Sequence, residues 1–410
     1  MPRGFLRWRW NKGDRVKKRT IKKRIKWAIA LGLALLLAAS LWVLPVSAEE
    51  AGTTETAVDG SMPEGFSELP SLLPPEVSER LPEGIGSEDA QEVGEAVGKL
   101  TDATSVLSLI SDMVGDELLL GLRLFAKLAG LLLLAAVFGV LRSSLGSDAL
   151  AGAVRFCTTT AIFAAILHTQ LEHLQRVQVF FERLSAMMGA MIPMTGTVWA
   201  MGGNVTTASA GTSTLYVFLT VCENLCGKTV MPLCCFCIAL ALCNTLSPEL
   251  GLGGISRAVK RIYTFSLGMI MTILVSCLGA QTALTAAADS TTARAARTIS
   301  STVIPVVGGS VGETLRTVAS GVQYLKSVLG ICGILFIFLL LLPTLLSLLM
   351  TRLAFLLAGG LAEMLGCESE GKLLGELGTV YGCMIAVVAM SSVMFILALS
   401  IFMKTVVAAA

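Results

Sequence analysis

Long apolar stretches dominate the pattern of hydrophobic and polar positions along the chain. A helix needs about 20 apolar residues to cross a hydrocarbon core about 30 Å thick. Stretches of suitable length occupy roughly residues 124–141, 150–168, 229–246, 262–283, 328–350 and 377–403. They are continuous and rich in leucine and alanine, whereas the strands of a membrane barrel alternate apolar with polar residues. The pattern predicts an all-α polytopic membrane protein with about six transmembrane helices.

Two further apolar stretches, 185–227 and 300–320, are broken by glycine, proline and small polar residues. Backbone groups freed by such breaks are costly in hydrocarbon unless they line protein or water. We therefore expect segments that enter the membrane and return on the same side, or that border a polar path. Close helix packing is the other explanation for the small residues at 202–211. The residues concerned are Ile192, Pro193, Gly196, Gly203, Asn204, Thr206, Ile304, Pro305, Gly308 and Gly309.

The two broken stretches begin what looks like an internal repeat, near 185–283 and 300–403. Three pairs of residues recur at a near-constant offset of 111 to 114, namely Pro193 with Pro305, the helix prolines Pro232 with Pro343, and Gly268 with Gly382. Repeats with broken helices in corresponding positions are common in transport proteins. Chance similarity between segments of the same biased composition is the alternative.

Charge is segregated at the start of the chain. Residues 1–26 hold twelve Lys or Arg and a single acid, and residues 27–46 hold no charge before small residues lead to Ala48 and Glu49. This order is typical of a secretory signal over 1–48, cleaved between Ala48 and Glu49. The apolar run is also long enough to remain as an anchor helix. In both cases the basic residues lie in the cytoplasm, and we expect no nucleic-acid partner.

An acidic stretch follows the signal. Residues 49–118 hold seventeen Asp or Glu and only two bases. Over 49–102 prolines are frequent and large apolar residues are few, which predicts a mostly disordered extracytoplasmic segment. Residues 103–123 place apolar side chains at helical spacing and predict an amphipathic helix on the outer membrane surface. The polytopic membrane domain then occupies 124–403, with a short tail at 404–410.

The sequence offers little material for catalysis. It has two histidines, and its eleven cysteines lie mostly among large apolar residues, where free cysteine behaves as a small hydrophobe. We therefore predict no catalytic residues, no cofactor and no metal site. Glu223 and Lys228 are candidate charges within the membrane region and deserve a functional interpretation. Their five-residue spacing does not favour a direct pair on an α-helix.

Two runs of residues resemble stage III sporulation protein AE of endospore-forming bacteria. The first is Ile304 to Leu315 (IPVVGGSVGETL), which continues through Tyr324-Leu325-Lys326 to Leu342-Pro343. The second is Met191-Ile192-Pro193 with Gly203-Asn204-Val205-Thr206, which is similar to an upstream motif of that family. The resemblance covers roughly residues 100–403, and the order of signal, acidic segment and crossings also fits.

This resemblance implies a non-enzymatic, multi-pass subunit in the mother-cell membrane facing the forespore, with its mature N-terminal segment outside the cytoplasm. The subunit would belong to a channel or secretion-like complex that connects mother cell and forespore and supports late forespore development. Implied partners are the lipid bilayer, the other stage III A proteins including an ATPase, and the forespore's stage II protein Q; further copies of the chain are a further expectation. The alternative is a stand-alone secondary transporter or permease for a small solute.

Overall fold

A computed structural model describes residues 61–101, 103–143, 148–203, 205–246, 253–303 and 308–404. Its regular structure in these ranges is helical, with one isolated bridge between Ser61 and Asp89. A 3₁₀ helix, Phe66–Leu72, comes first, and a π-helical segment, Glu223–Gly227, lies near the middle of the chain. The α-helices are α1 Pro75–Ser78, α2 Ala90–Thr101, α3 Ala103–Ser143, α4 Asp148–Met201, α5 Val205–Cys222, α6 Lys228–Leu246, α7 Gly253–Val303, α8 Gly308–Met364 and α9 Glu368–Lys404.

The helices include six stretches that are long and apolar enough to cross a membrane. They are Asp112–Val140, Phe156–Met201, Ala208–Thr245, Gly254–Ala280, Ser320–Met364 and Glu368–Ile401. These stretches overlap the six predicted crossings in the same order, so the prediction of a polytopic helical membrane protein is confirmed. The predicted signal sequence, with Ala48 and Glu49, lies outside the described residues.

Helix α8 lies at the centre of the bundle. Of its most apolar stretch, 72% is buried inside the protein, compared with 17% of the corresponding stretch in α3 and 12% of that in α7. A tight turn at Gly366 joins α8 to α9, and the φ of 75° at this residue falls in the left-handed region that glycine adopts without strain. Helices α3, α4 and α9 pack around α8, and α7 packs on α9.

Cross-helix contacts fix the direction of each neighbour. Contacts of Glu117 with Arg176 and of Lys127 with Ala165 pair rising with falling residue numbers, so α3 and α4 are antiparallel. His173 with Thr351 and Arg176 with Ser347 show the same for α4 and α8. Thr159 contacts Glu370 and His173 contacts Tyr381, so rising numbers pair with rising numbers and α4 runs parallel to α9. The result is an up-and-down bundle, as consecutive spans joined by short connections predict.

The prediction of disorder over 49–102 is wrong for residues 61–101. Four of the few apolar residues there, Phe66, Leu69, Leu73 and Val77, are buried, and the Phe66 ring centroid lies 6.3 Å from that of Phe336 in α8. The composition argument assumed that this segment must bury its apolar groups among themselves. The 3₁₀ helix instead packs on α4 and, through Phe66, on α8 of the membrane domain, so these helices supply the surface that buries its apolar groups.

Two predicted boundaries also differ from the structure. Helix α3 continues without interruption from 103 to 143, so the predicted surface helix at 103–123 and the first crossing share one helix. Helix α4 continues through Pro193, which is exposed while its neighbours Ile192 and Met194 are buried. Proline removes a single backbone hydrogen bond, and the packing of its neighbours holds α4 together there. The helix ends later, at Met201, where Gly202 and Gly203 form a turn.

Candidate functional site: a polar network inside the helix bundle

A histidine lies at the centre of a polar network between α4 and α8. His173 is 9% exposed, and its Nε2 lies 3.0 Å from the Thr351 Oγ1 while its Nδ1 lies 3.4 Å from the Ser347 Oγ. Ser347 and Thr351 are four residues apart on α8, so both hydroxyls face the same turn of α4. Each ring nitrogen therefore has a hydroxyl partner that can donate to it or accept from it, whichever tautomer the ring adopts.

An ion pair extends the network to α3. The Arg176 Nη1 lies 3.3 Å from the Glu117 Oε1 and 3.2 Å from the Ser347 Oγ. Arg176 is one turn from His173 on the same helix, so a continuous polar line connects Glu117 to Thr351 across three helices. Ionisable groups at this position in a membrane span are functional candidates by default, because their burial in hydrocarbon is costly.

The network borders two polar side chains whose hydrogen-bonding groups are not fully satisfied. Tyr381 of α9 packs edge-on against His173, with the ring centroids 5.5 Å apart. The buried amide of Gln170, one turn from His173, lies next to the buried Tyr381 hydroxyl, and the geometry between them leaves both short of a full hydrogen bond. An unpaired buried polar group costs about 1–3 kcal/mol, so this is where the network can accept a polar solute or water.

A second cluster joins α7 to α9. Lys260 is buried, and its Nζ lies 3.5 Å from the Glu376 Oε2 and donates a short hydrogen bond to the Thr379 hydroxyl. One turn further along α7, the Thr264 Oγ1 lies 3.6 Å from the Cys383 Sγ. Three polar contacts of α9 therefore face α7, at the depth of a candidate span.

A third cluster joins the start of α9 to α4. The buried Glu370 carboxylate accepts hydrogen bonds from Thr158 at 3.1 Å and from Thr159 at 3.0 Å. Eleven residues separate Glu370 from Tyr381, which is close to three helical turns, so both face α4 while Glu376 faces α7. Helix α9 thus carries polar groups on two sides and connects all three clusters.

The described residues hold no group of three or more His, Cys, Asp or Glu side chains arranged to bind a metal ion. Their eleven cysteines are free thiols, and seven of these are buried: Cys222, Cys226, Cys234, Cys237, Cys332, Cys367 and Cys383, the last beside Thr264. The chemistry that the clusters support is hydrogen bonding and charge pairing inside the spans.

A comparison with known protein families covers the bundle that holds these clusters. The family model for stage III sporulation protein AE matches residues 93–406. These include all six candidate spans and every residue of the three clusters. The chain belongs to the stage III sporulation protein AE family. Membership implies a role in sporulation.

One curated relative is the stage III sporulation protein AE of Bacillus subtilis (strain 168). It is 23% identical over 220 residues, which cover 54% of this chain and 55% of the relative. The match thus spans about half the length of the curated relative. No solved structure matches the chain.

The residues of the first broken stretch lie in a helical hairpin, away from the polar network. Gly203, with a φ of 77°, ends the turn between α4 and α5. A Cβ at Gly196 would come within 2.5 Å of the Thr212 Cγ2, and one at Gly211 within 2.5 Å of the Trp199 ring. The small residues at these positions therefore allow α4 and α5 to pack closely, as one of the two sequence-based explanations proposed.

The other site residues predicted from the sequence lie at several different places in the fold. In the hairpin, Ile192 is buried, Thr206 is exposed and Asn204 lies outside the described residues. Ile304 and Pro305 also lie outside them, whereas Gly308 and Gly309 begin α8. Pro232 is exposed in α6. Pro343 is buried in α8 one turn before Ser347, so of all these residues it comes nearest to the network.

Glu223 and Lys228 do form a direct pair, and the expectation from their spacing is wrong. The Lys228 Nζ lies 3.3 Å from the Glu223 Oε1. The intervening residues form a π-helical segment, in which positions five apart occupy adjacent turns. The wider turn also frees backbone groups, and the Tyr263 hydroxyl donates to the Leu225 carbonyl while Thr229 donates to the Asn224 carbonyl. Both charged side chains are exposed on the bundle surface.

Sequence reasoning missed the residues of the three clusters. His173 and Arg176 belong to the amphipathic stretch 170–183, where their spacing from Gln170 places them near one helix face. That spacing was the available signal. Lys260 lies between Arg257 and Arg261 in the sequence. Nothing in the local sequence distinguishes the lysine that turns inward from the two arginines beside it.

Proposed function

We propose that this chain is a non-enzymatic membrane subunit of a channel or secretion-like complex that connects mother cell and forespore and is needed for late forespore development. The observation that carries the proposal is the family match over 93–406, because the matched region holds the entire helix bundle. The chain would lie in the mother-cell membrane facing the forespore, with its mature N-terminal segment outside the cytoplasm. Its partners would be the other stage III A proteins, including an ATPase, and the forespore's stage II protein Q.

The polar clusters suggest how such a subunit could work. Polar contacts from α3, α4, α7, α8 and α9 lie inside spans that an inert anchor would fill with apolar side chains. In a subunit of a channel complex they would hold the helices in register beside a polar path and could exchange partners when the path changes state. The Ile-Pro-x-x-Gly motifs at 192–196 and 304–308 stay proposed borders of that path.

A clean deletion in the source organism tests the role. We expect normal growth, normal engulfment and a collapse of late forespore-specific transcription. Restoring the gene as an Arg176→Met variant should leave the protein in the membrane, measured by immunoblot, and should lower late transcription, because Glu117 and Ser347 lose their partner. A Lys372→Met variant is the matched control, since Lys372 forms only an exposed pair with Glu368. Normal late transcription in the deletion strain would refute the proposed role.

The motif at the second break needs its own variants. Pro305→Leu and Gly308→Leu should insert into the membrane normally and impair late forespore transcription. Normal sporulation in both variants would remove the motif from the proposed path.

One observation favours a second candidate, a secondary transporter for a small solute. The Lys260–Glu376 pair supplies a buried ionisable site of the kind that couples ion movement to transport. Vesicles that contain only the purified chain would test it. Solute uptake that depends on an ion gradient and disappears in Glu376→Gln would favour the transporter, whereas inactive vesicles together with a sporulation defect would favour the channel subunit.

A further inference from the structure

The side of α4 away from α8 carries a polar strip through the middle of a candidate span. We call His168, Glu172, Gln175, Gln178 and Glu182 the α4 strip; all five are exposed. The side chains of His168 and Glu172 are 85% and 56% exposed. Steps of three or four residues place the five on one face. The strip extends about 21 Å along the axis of α4, at about 1.5 Å per residue. This length is a large part of the hydrocarbon thickness of roughly 30 Å.

Two contacts fix the depth of the strip relative to α3. The Arg176 Nη1 lies 3.3 Å from the Glu117 Oε1, and the Lys127 Nζ lies 3.0 Å from the Ala165 carbonyl oxygen. The part of α3 between Glu117 and Lys127 is therefore level with the part of α4 between Ala165 and Arg176. That part of α4 contains His168, Glu172 and Gln175, which are three of the five strip residues.

At that same depth, α3 presents leucines to the outside. Leu118, Leu119, Leu120 and Leu122 are each 41% to 52% exposed, as a face in contact with lipid tails would be. The face of the α4 strip also exposes Leu171 and Val179, at 45% and 41%, so what sets it apart from α3 is the carboxylates, amides and imidazole of the five strip residues. A carboxylate or imidazole directed into hydrocarbon is costly, whereas leucine is not. The leucine face suits lipid, and the α4 strip requires water or polar protein groups.

The polar surface continues on both sides of the strip. The exposed Glu223–Lys228 pair lies close to its upper end, since a Cβ at Gly227 would be 3.6 Å from the Phe181 Cβ of α4. Arg123 and Lys127, both exposed, lie on the α3 side. In one copy of the chain this surface is exposed; α3 lies on one side of it, and the π-helical segment lies beside its upper end.

We propose that several copies of this chain assemble with their α4 strips around a common water-filled lumen. The proposal rests on the proposed channel function and adds the face that lines the path. A second copy fits because the surface carries both signs, basic on the α3 flank and acidic at Glu172 and Glu182, so adjoining copies can pair opposite charges. The apolar segment 27–46 of this chain has no charge with which to pair and would leave the strip unsatisfied.

Thiol accessibility tests the lumen. The exposed Cys157, Cys235, Cys243 and Cys277 are first replaced by alanine. Gln175→Cys and Gln178→Cys are then compared with the lipid-facing control Leu119→Cys in lipid nanodiscs that hold the purified full chain, using a small charged thiol reagent. Because the reagent needs a hydrated thiolate, we expect both strip positions to react about tenfold faster than the control or more. Strip cysteines that react as slowly as Leu119→Cys would overturn the proposal.

The number of copies supplies the second measurement. Native mass spectrometry of the same nanodiscs should show several copies of the chain in one particle. Fast labelling in a particle with one copy would overturn the shared lumen and point to a different partner. If the labelling and the assembly agree with the proposal while the deletion strain sporulates normally, the lumen stands and the sporulation-channel function falls.

Discussion

The buried pair between α7 and α9 allows a quantitative test of how the bundle is held together. The side chains of Lys260 and Glu376 are 8% and 17% exposed, and the Nζ lies 3.5 Å from the Oε2. Lys260→Met removes the cation and keeps the length of the side chain, and Glu376→Leu removes the anion at similar volume. Each change alone leaves its partner buried without the opposite charge.

The size of the effect follows from that burial. Removing one member of a buried ion pair costs about 3–5 kcal/mol, because the remaining charge keeps its desolvation penalty and loses its attraction. Thr379 still accepts a hydrogen bond from Lys260 in the Glu376→Leu variant, so the lower end of this range applies there. The double variant carries no charge and should cost clearly less than the sum, with a coupling free energy of about 2 kcal/mol.

The measurement is the free energy of unfolding of the four forms in mixed micelles, followed by far-ultraviolet circular dichroism as the denaturing detergent fraction rises. The exposed pair of Lys372 with Glu368, at 3.8 Å, provides the matched control. Its side chains are 63% and 82% exposed, so the same replacements should show a coupling below about 1 kcal/mol. Additive effects at Lys260 and Glu376, within about 0.5 kcal/mol, would refute the view that the two charges stabilise each other.

Three further predictions concern packing. Gly211→Leu should destabilise the chain by about 1–3 kcal/mol through overpacking, because its Cβ would meet the Trp199 ring. Gly130→Leu, which lies in open space, should cost little, and thermal unfolding of both variants measures the difference. Gly382→Ala should displace the Arg352 guanidinium, 3.1 Å from the new Cβ, and lower the unfolding temperature, whereas Gly375→Ala should not; equal temperatures would contradict the contact. Phe66→Ala should cost about 3–5 kcal/mol locally and speed protease cleavage within residues 61–101, while an unchanged cleavage rate would show that the Phe336 contact does not hold this segment.

The sequence predicted the helix class and the order of the spans because apolar length is a local property. A stretch such as 328–350 needs no partner to be recognised, and the structure places it in the most buried helix. Family membership could also be predicted, since the run beginning at Ile304 and the motif at Met191 are specific enough to compare by eye.

The contacts between helices could not be predicted in the same way. The segment containing Phe66 and Leu69 looked disordered because composition cannot show that another helix supplies the surface on which it packs. The π-helical segment between Glu223 and Gly227 has no sequence signature of its own, so a five-residue spacing was judged by α-helical geometry. The inward turn of Lys260 depends on Glu376, which lies more than a hundred residues away.

The unbroken length of α4 gives the bundle a mechanical lever. Its 54 residues form a rod of about 81 Å at about 1.5 Å per residue, while the hydrocarbon layer is about 30 Å thick. Arg176 and His173 lie near the middle of the rod, where Glu117, Ser347 and Thr351 hold it. A tilt of about 5° around this fulcrum would carry each tip of a rod of this length about 3–4 Å sideways, in opposite directions. Because Thr158 and Thr159 near the start of α4 donate to Glu370, such a tilt would move α9 together with α4, and a push on one side of the membrane would reach the other side as a movement of side-chain size.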